Sequence, residues 1–197
     1  MKKGIFLMIL FVFLTGCTKN EKKMPVPKPP AESDSRPPEN PKKQEQPAES
    51  VIGSYETPIN DRSQGREENI ALCVKTINGT TIDPGKTFSF NAAAGPRTEE
   101  RGYKKAKVMI DGEYVMDFGG GVCQVSTTLY NAAAAAGLEI TERHSHKKPV
   151  SYVNKGQDAA VNYNDLDLKF ANNSGGIIRL DITQDGKKIA VNIVKIE

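Results

Sequence analysis

The chain of 197 residues sets 27 Lys and Arg against 24 Asp and Glu, a net charge of +3. With so modest an excess, and no basic run interleaved with aromatics, nucleic acid is excluded as the expected partner. Two histidines and three cysteines are few enough to be argued one by one.

At the N-terminus, Lys2 and Lys3 precede an apolar run from Ile5 to Leu14. A spanning helix needs about twenty apolar residues, so this shorter run fits a signal peptide instead. The run ends in Leu14-Thr15-Gly16-Cys17, which resembles the lipobox of bacterial lipoproteins. That resemblance implies a leader over residues 1–17, a lipid on the Cys17 thiol, and an extracytoplasmic protein held at the membrane by buried acyl chains.

Residues 18–50 are of a different composition. Eight of the twelve prolines fall between Pro25 and Pro47, mixed with Lys, Glu, Gln and Ser. Such a stretch has little to bury and cannot offset the entropy of ordering, so a Pro-rich tether is expected. Residues 51–197 are then the right length for one domain.

Within it, Ile70, Cys73, Val74 and Ile77 recur at helical spacing, predicting a helix over 66–77 that stops at Asn78-Gly79. Cys73 falls on its apolar face and reads as a core residue. A short strand is expected over 87–90, between turns at Asp83-Pro84-Gly85 and Gly95-Pro96. A hairpin over 106–110 and 114–118 turns at Asp111-Gly112. After Gly119-Gly120-Gly121, a second helix is predicted over 124–136, closed by Gly137. Strands follow over 138–143, 159–163 and 166–170, with a last hairpin over 177–183 and 188–196 about Asp185-Gly186. The sum is α+β: an antiparallel sheet with two packed helices in a single domain.

Chemistry concentrates where the second helix begins. Cys123 sits at or just before its first position, where the helix dipole and free backbone N–H groups favour a thiolate. Amides near Gly120, Gly121 and Gln124 can hold an oxyanion there; packing glycines and a small core cysteine would give the same letters. The two histidines, His144 and His146, are two residues apart, so an extended segment points both to one face. Either can serve as the base a cysteine nucleophile needs. Asp158 is the candidate to orient it, with Asp165 and Asp167 behind. No fourth ligand stands at a zinc spacing, so neither metal nor other cofactor is expected. Arg97, Arg101 and Arg143 are candidates to hold a substrate carboxylate, and Ser126 and Thr127 to face the site or cap the helix. Cys73 and Cys123 can pair as a disulfide or stay free; a stable disulfide would remove the nucleophile.

These residues fall in long motifs. Pro84-Gly85-Lys86-Thr87-Phe88-Ser89-Phe90-Asn91, Gly95-Pro96-Arg97-Thr98 and Gly102-Tyr103 come first. Next is Gly119-Gly120-Gly121-Val122-Cys123-Gln124-Val125-Ser126-Thr127-Thr128-Leu129-Tyr130-Asn131. Glu142-Arg143-His144-Ser145-His146, Pro149-Val150-Ser151-Tyr152, Gly156-Gln157-Asp158-Ala159-Ala160-Val161 and Asp167-Leu168-Lys169-Phe170-Ala171-Asn172-Asn173 complete them. Together, from about Ile59 to Ile182, they resemble the VanW family, named for an accessory protein of glycopeptide resistance. The resemblance implies work on peptidoglycan stem peptides, and some members are understood to be L,D-transpeptidases with an active-site cysteine. Cys123 would be the nucleophile, and His144 or His146 the base. The better-known L,D-transpeptidases place histidine just ahead of cysteine. Here the order is reversed, which excludes transfer of their fold but not of the chemistry. The competing expectations are a non-catalytic module binding peptidoglycan or glycopeptide, and a structural lipoprotein supporting another wall enzyme.

Overall fold

A computed structural model of the chain describes residues 47–110 and 112–197. The leader, Cys17 and nearly all of the tether lie outside the described residues, as does Asp111 of the hairpin turn. The described residues fold as one compact α+β unit built on antiparallel strands. No helix among them is long and apolar enough to cross a membrane.

The main sheet has the order β1-β9-β8-β2, with β1 (Glu49–Pro58), β2 (Thr81–Ile82), β8 (Ile177–Gln184) and β9 (Lys188–Ile196). Strict alternation drives it. Ile178, Leu180 and Ile182 of β8, with Ile189, Val191 and Ile193 of β9, are all buried on one face. The predicted last hairpin is therefore present, in the register Leu180↔Ile193. β1 was not predicted; it opens at Glu49, inside the stretch the composition gives to the tether. Its residues alternate weakly, and its order comes from pairing with β9 along its whole length.

The core face of this sheet is covered by α1 (Gln64–Ile77) and α3 (Val122–Ala135). α1 buries Ile70, Cys73, Val74 and Ile77, as its periodicity predicts. α3 is buried almost all round, and its buried polar side chains, Gln124, Ser126, Thr127, Thr128 and Asn131, each have a hydrogen-bond partner. Thr128 shares a buried hydroxyl contact of 2.8 Å with Thr57 of β1. Gly53 lets β1 bulge over the helix's C-terminal end, because a Cβ there would stand 2.6 Å from the Ala132 carbonyl oxygen and 2.5 Å from the Ala136 nitrogen. Gly53→Ala should thus cost about 1–3 kcal/mol, the usual range for overpacking. Its melting temperature by circular dichroism should fall by several degrees.

A second sheet, ordered β3-β7-β6, packs against α3 through β6, with β3 (Thr87–Ser89), β6 (Glu139–Glu142) and β7 (Lys169–Ala171). Phe88 and Phe170 stack across it at 4.9 Å. Phe90, expected to end the strand, instead opens a short helix α2 (Phe90–Ala94), since Ser89 caps it by accepting from Ala92 N. The expected strands over 159–163 and 166–170 shrink to isolated bridges and β7. Their backbone bonds are spent instead on His144, Asn162 and the side chains around α3. The third sheet is the predicted hairpin, β4 (Lys105–Ile110) with β5 (Glu113–Phe118), which stands apart as two strands. Among the described residues there are thus three α-helices and three small sheets, an α+β fold as expected, with one helix and two sheets more than the sequence suggested.

Candidate functional site

The glycine run is a joint where three pieces close on the start of α3. Gly119 and Gly121 have positive φ, 84° and 106°, which an L side chain adopts only at a cost. A Cβ on Gly119 would lie 2.7 Å from the Arg97 stem, and one on Gly120 would lie 2.6 Å from the Lys107 carbonyl. One on Gly121 would lie 2.9 Å from Ile70 and 3.1 Å from the Arg66 stem. Asn69, buried on α1, ties the joint by donating to the carbonyls of Lys104 and Gly120 at 2.9 and 3.0 Å. Gly121 is the N-cap, so α3 begins at Val122 and Cys123 lies within its first turn.

Cys123 is half-buried and free, its Sγ 3.5 Å from the Val161 carbonyl oxygen. Burial alone would push its pKa up. A hydrogen bond and positive charge from His146, the Val161 contact and the charge of Arg97 outweigh that, and the thiol lies below its ordinary value. His146 shows the complementary shift. Burial opposes its protonation, yet the hydrogen bond and charge of Cys123, then of Asp158, raise its pKa. Asp158 Oδ2 accepts from His146 Nδ1 at 2.7 Å and from the His146 backbone N–H at 2.6 Å. Burial works against the Asp158 carboxylate, but these two bonds and the imidazolium charge hold its pKa below the usual range. The result is an imidazole fixed by a carboxylate and near enough to the sulfur to depress its pKa.

Several candidates from the sequence are placed elsewhere. The His146 side chain is only 7% exposed and lines the cavity, whereas His144 is 36% exposed and turns to Glu142 Oε1 at 2.9 Å. One residue of the extended segment bridges to Ala160 while the other bends toward Asp158, so the two rings do not share a face. Arg143 is a brace. Its Nε donates to the Asp158 carbonyl at 2.7 Å and its Nη2 to the Gly156 carbonyl at 2.8 Å, over the Tyr130 ring. Asp167 caps α2 through Ser89 and the Asn91 amide, and Asp165 is exposed. Ser126 and Thr127 bind the Ala159 backbone, which holds the Asp158 loop on the helix. The Gln124 amide donates to Gly121 O at 3.0 Å, and its side chain bridges Arg66 to Thr57 and Pro58. Gln124 is therefore a buried tie, and neither its amide nor its side chain is free for an oxyanion. Gly120 offers its carbonyl to Asn69, and Arg101 donates to the Ala94 carbonyl.

The sulfur opens on a cavity of about 700 Å³ lined by Arg66, Arg97, Gly121, Cys123, His146 and Tyr152, among others, with the β4–β5 hairpin along one wall. Two of these, Arg66 and Tyr152, were not singled out from the sequence. Arg66 stands in the sequence only as the first residue of the predicted helix; its 2.6 Å bond to Gln124, distant in the chain, is what turns it inward. The Tyr152 hydroxyl is pushed up by burial and by the Cys123 charge, so it stays neutral. Cys73 is fully buried and free, its thiol pushed up to about 12 by burial. Among the described residues no group of three His, Cys, Asp or Glu side chains is placed to hold a metal ion.

The family model described as VanW like protein matches residues 65–194, from the start of α1 to the end of β9. The chain belongs to the VanW family. Among curated proteins it is 44% identical over 121 residues to the uncharacterized protein YoaR of Bacillus subtilis, a span covering 61% of this chain and 40% of YoaR. It is 32% identical over 126 residues to the vancomycin B-type resistance protein VanW of Enterococcus faecalis, covering 61% of this chain and 46% of that protein. The chain thus spans less than half the length of these relatives. No solved structure matches it. The VanW match contains Arg66, Arg97, Cys123, His146 and Asp158, so every residue argued above for the site lies within the family's own domain.

Proposed function

We propose that this VanW domain is a cysteine-dependent acyl transferase of the L,D-transpeptidase type, acting on peptidoglycan stem peptides. The observation that carries the reading is a buried imidazole held between a depressed thiol and a carboxylate. A merely structural cysteine has no need of such a base. The substrate class comes from the family resemblance and from a relative named for vancomycin resistance. A lipid on Cys17 would hold the domain outside the cytoplasmic membrane, within reach of its substrate.

The Cys123 thiolate attacks the carbonyl that joins the third residue of a tetrapeptide stem to its terminal D-alanine, forming a C–S bond. Of the backbone groups considered for the oxyanion, Gly121 remains beside the sulfur. The His146 imidazolium gives its proton to the departing amine as the C–N bond breaks, and D-alanine leaves. Neutral imidazole then takes a proton from an acceptor amine of a second stem, or from water, as that group attacks the thioester. A C–N or C–O bond forms, the C–S bond breaks, and the thiolate–imidazolium pair is restored. Asp158 keeps the ring oriented throughout.

The test is incubation with a disaccharide-tetrapeptide, followed by mass spectrometry. The expected products are free D-alanine, a crosslinked dimer or shortened stem, and an acyl adduct on Cys123. None should form with Cys123→Ala. Absence of all products with the native protein, where a known transpeptidase works, would favour a non-catalytic binding module.

A further inference from the structure

We infer that Arg97, with Arg66 lining the same cavity, forms an anion subsite that takes a free carboxylate one residue from the reacting carbonyl. This deepens the reading above and rests on Cys123 being the reactive group. Arg97 lies against Gly119 by its stem, and its guanidinium stands 5.4 Å from the Phe90 ring centre and 6.0 Å from that of Tyr163. Both Nη1 and Nη2 are out of contact with solvent and have no hydrogen-bond partner among the described residues. A guanidinium cannot escape that cost by losing its proton. Buried polar groups in folded proteins are almost always paired, so these two arms call for a partner, and a carboxylate is one that fits both.

Arg66 repeats the pattern. Its Nη2 donates to Gln124 Oε1 at 2.6 Å, and Gln124 is itself moored by Thr57 and the Pro58 carbonyl. Its Nε is buried and likewise unpartnered. Both arginines line the cavity that holds the sulfur, and the charge of Arg97 bears on it. The acidic residues of that lining, Asp61 and Asp117, are exposed. They reach none of the unpartnered arms.

The chemistry of the free arms selects the ligand. Nη1 and Nη2 of one guanidinium form an end-on fork that matches the two oxygens of a carboxylate. A carboxylate held there is not itself open to attack by a thiolate. The carbonyl presented to Cys123 is the next one along, so the ligand class is a peptide with a free C-terminal carboxylate, joined through its last amide. An amidated or extended C-terminus leaves the buried cation unpaired and is rejected.

Alkylation of the native protein tests this without a substrate. 4-Bromocrotonate sets its reactive carbon three bonds from a carboxylate, the separation of the scissile carbonyl in the peptide, and 4-bromocrotonamide has no carboxylate; both react with the same thiolate, so the ratio of their rates is independent of the thiol pKa. Cys123 alkylation is followed by peptide mass spectrometry against glutathione as reference. The expected bromocrotonate-to-bromocrotonamide ratio is about ten- to a hundredfold above that of glutathione, the span of a charge-assisted hydrogen bond. Arg97→Gln should return it to the glutathione value, Arg97→Lys should keep part of it, and Arg66→Gln should lower it less. A native ratio equal to that of glutathione overturns the subsite with no variant needed, and so does a raised ratio that survives Arg97→Gln in folded protein. Loss of the subsite and loss of acyl transfer are separable, because this assay needs only a reactive sulfur and the tetrapeptide assay reports turnover.

Discussion

Replacing His146 by Gln is expected to lower acyl transfer by about 10²- to 10⁴-fold, the usual weight of a positioned acid–base group, while His144→Gln changes it only slightly. The two rings differ in what they touch. His146 faces the sulfur and Asp158, and His144 faces Glu142 at the surface. A readout independent of substrate is the pH dependence of Cys123 alkylation by iodoacetamide. In the native protein the thiol titrates below its ordinary value, chiefly because His146 opposes the effect of burial. Without that imidazole, burial is left as the largest influence, and the midpoint must move up. The thiolate is lost as pH falls through the depressed Cys123 value, and the imidazolium is lost as pH rises through the raised His146 value. Activity should therefore be bell-shaped between the two, and His146→Gln should abolish the alkaline limb. If the alkylation midpoint is the same in both variants as in the native chain, His146 is not the partner of the sulfur. Cys73 serves as an internal control: with its thiol at about 12 it should stay unmodified until the protein unfolds.

What was legible in the sequence follows from where the determinants lie. Local patterns sufficed for α1, for the last hairpin and for the glycine-to-helix joint, because each is set by spacing within a few residues. Cys123 was found the same way, as a thiol next to a helix start. What stayed hidden depends on contacts between residues far apart in the chain. β1 has weak alternation of its own and is ordered by β9, more than a hundred residues on. A shared face for the two histidines is the natural reading of an extended segment, and the Asp158 carboxylate breaks it by binding both the His146 backbone and its ring. Gln124, Ser126 and Thr127 looked like site residues because they follow the cysteine. They are consumed in holding α3 to β1 and to the Asp158 loop. Arg143 and Arg97 were equal candidates by sequence; the structure separates them, since one is fully engaged with backbone carbonyls and the other has two unpartnered arms.

Asp158→Asn carries the second large effect. The native carboxylate accepts two bonds on Oδ2 and faces Arg143 Nη2 at 3.5 Å from Oδ1. An amide can put its oxygen toward His146, but its NH2 then meets the Arg143 guanidinium, donor against donor. The alternative flip leaves the buried Nδ1–H without an acceptor and permits the wrong tautomer. Either way the imidazolium loses its neighbouring negative charge, so the His146 pKa falls and the thiolate loses its stabilising cation. Acyl transfer should drop by about 10²- to 10⁴-fold, the weight of a positioned acid–base group; loss of the orienting carboxylate in the serine triad costs about 10⁴. Linkage makes the same pair visible in stability. Asp158 is depressed, so its contribution is present above the ordinary carboxylate range and fades as pH falls through its native value. His146 is raised, so its contribution is full below the ordinary imidazole value, about 6.5, and fades as pH rises through its native value. The native protein should lose more stability to Asp158→Asn between these limits than at either extreme, measured by denaturant unfolding across pH. Only two histidines are present, so nuclear magnetic resonance titration can follow His146 beside His144 directly. A His146 titration that is unmoved by the Asn substitution would mean that the 2.7 Å contact does not tune the ring, and the carboxylate would then be only a fastener for the loop.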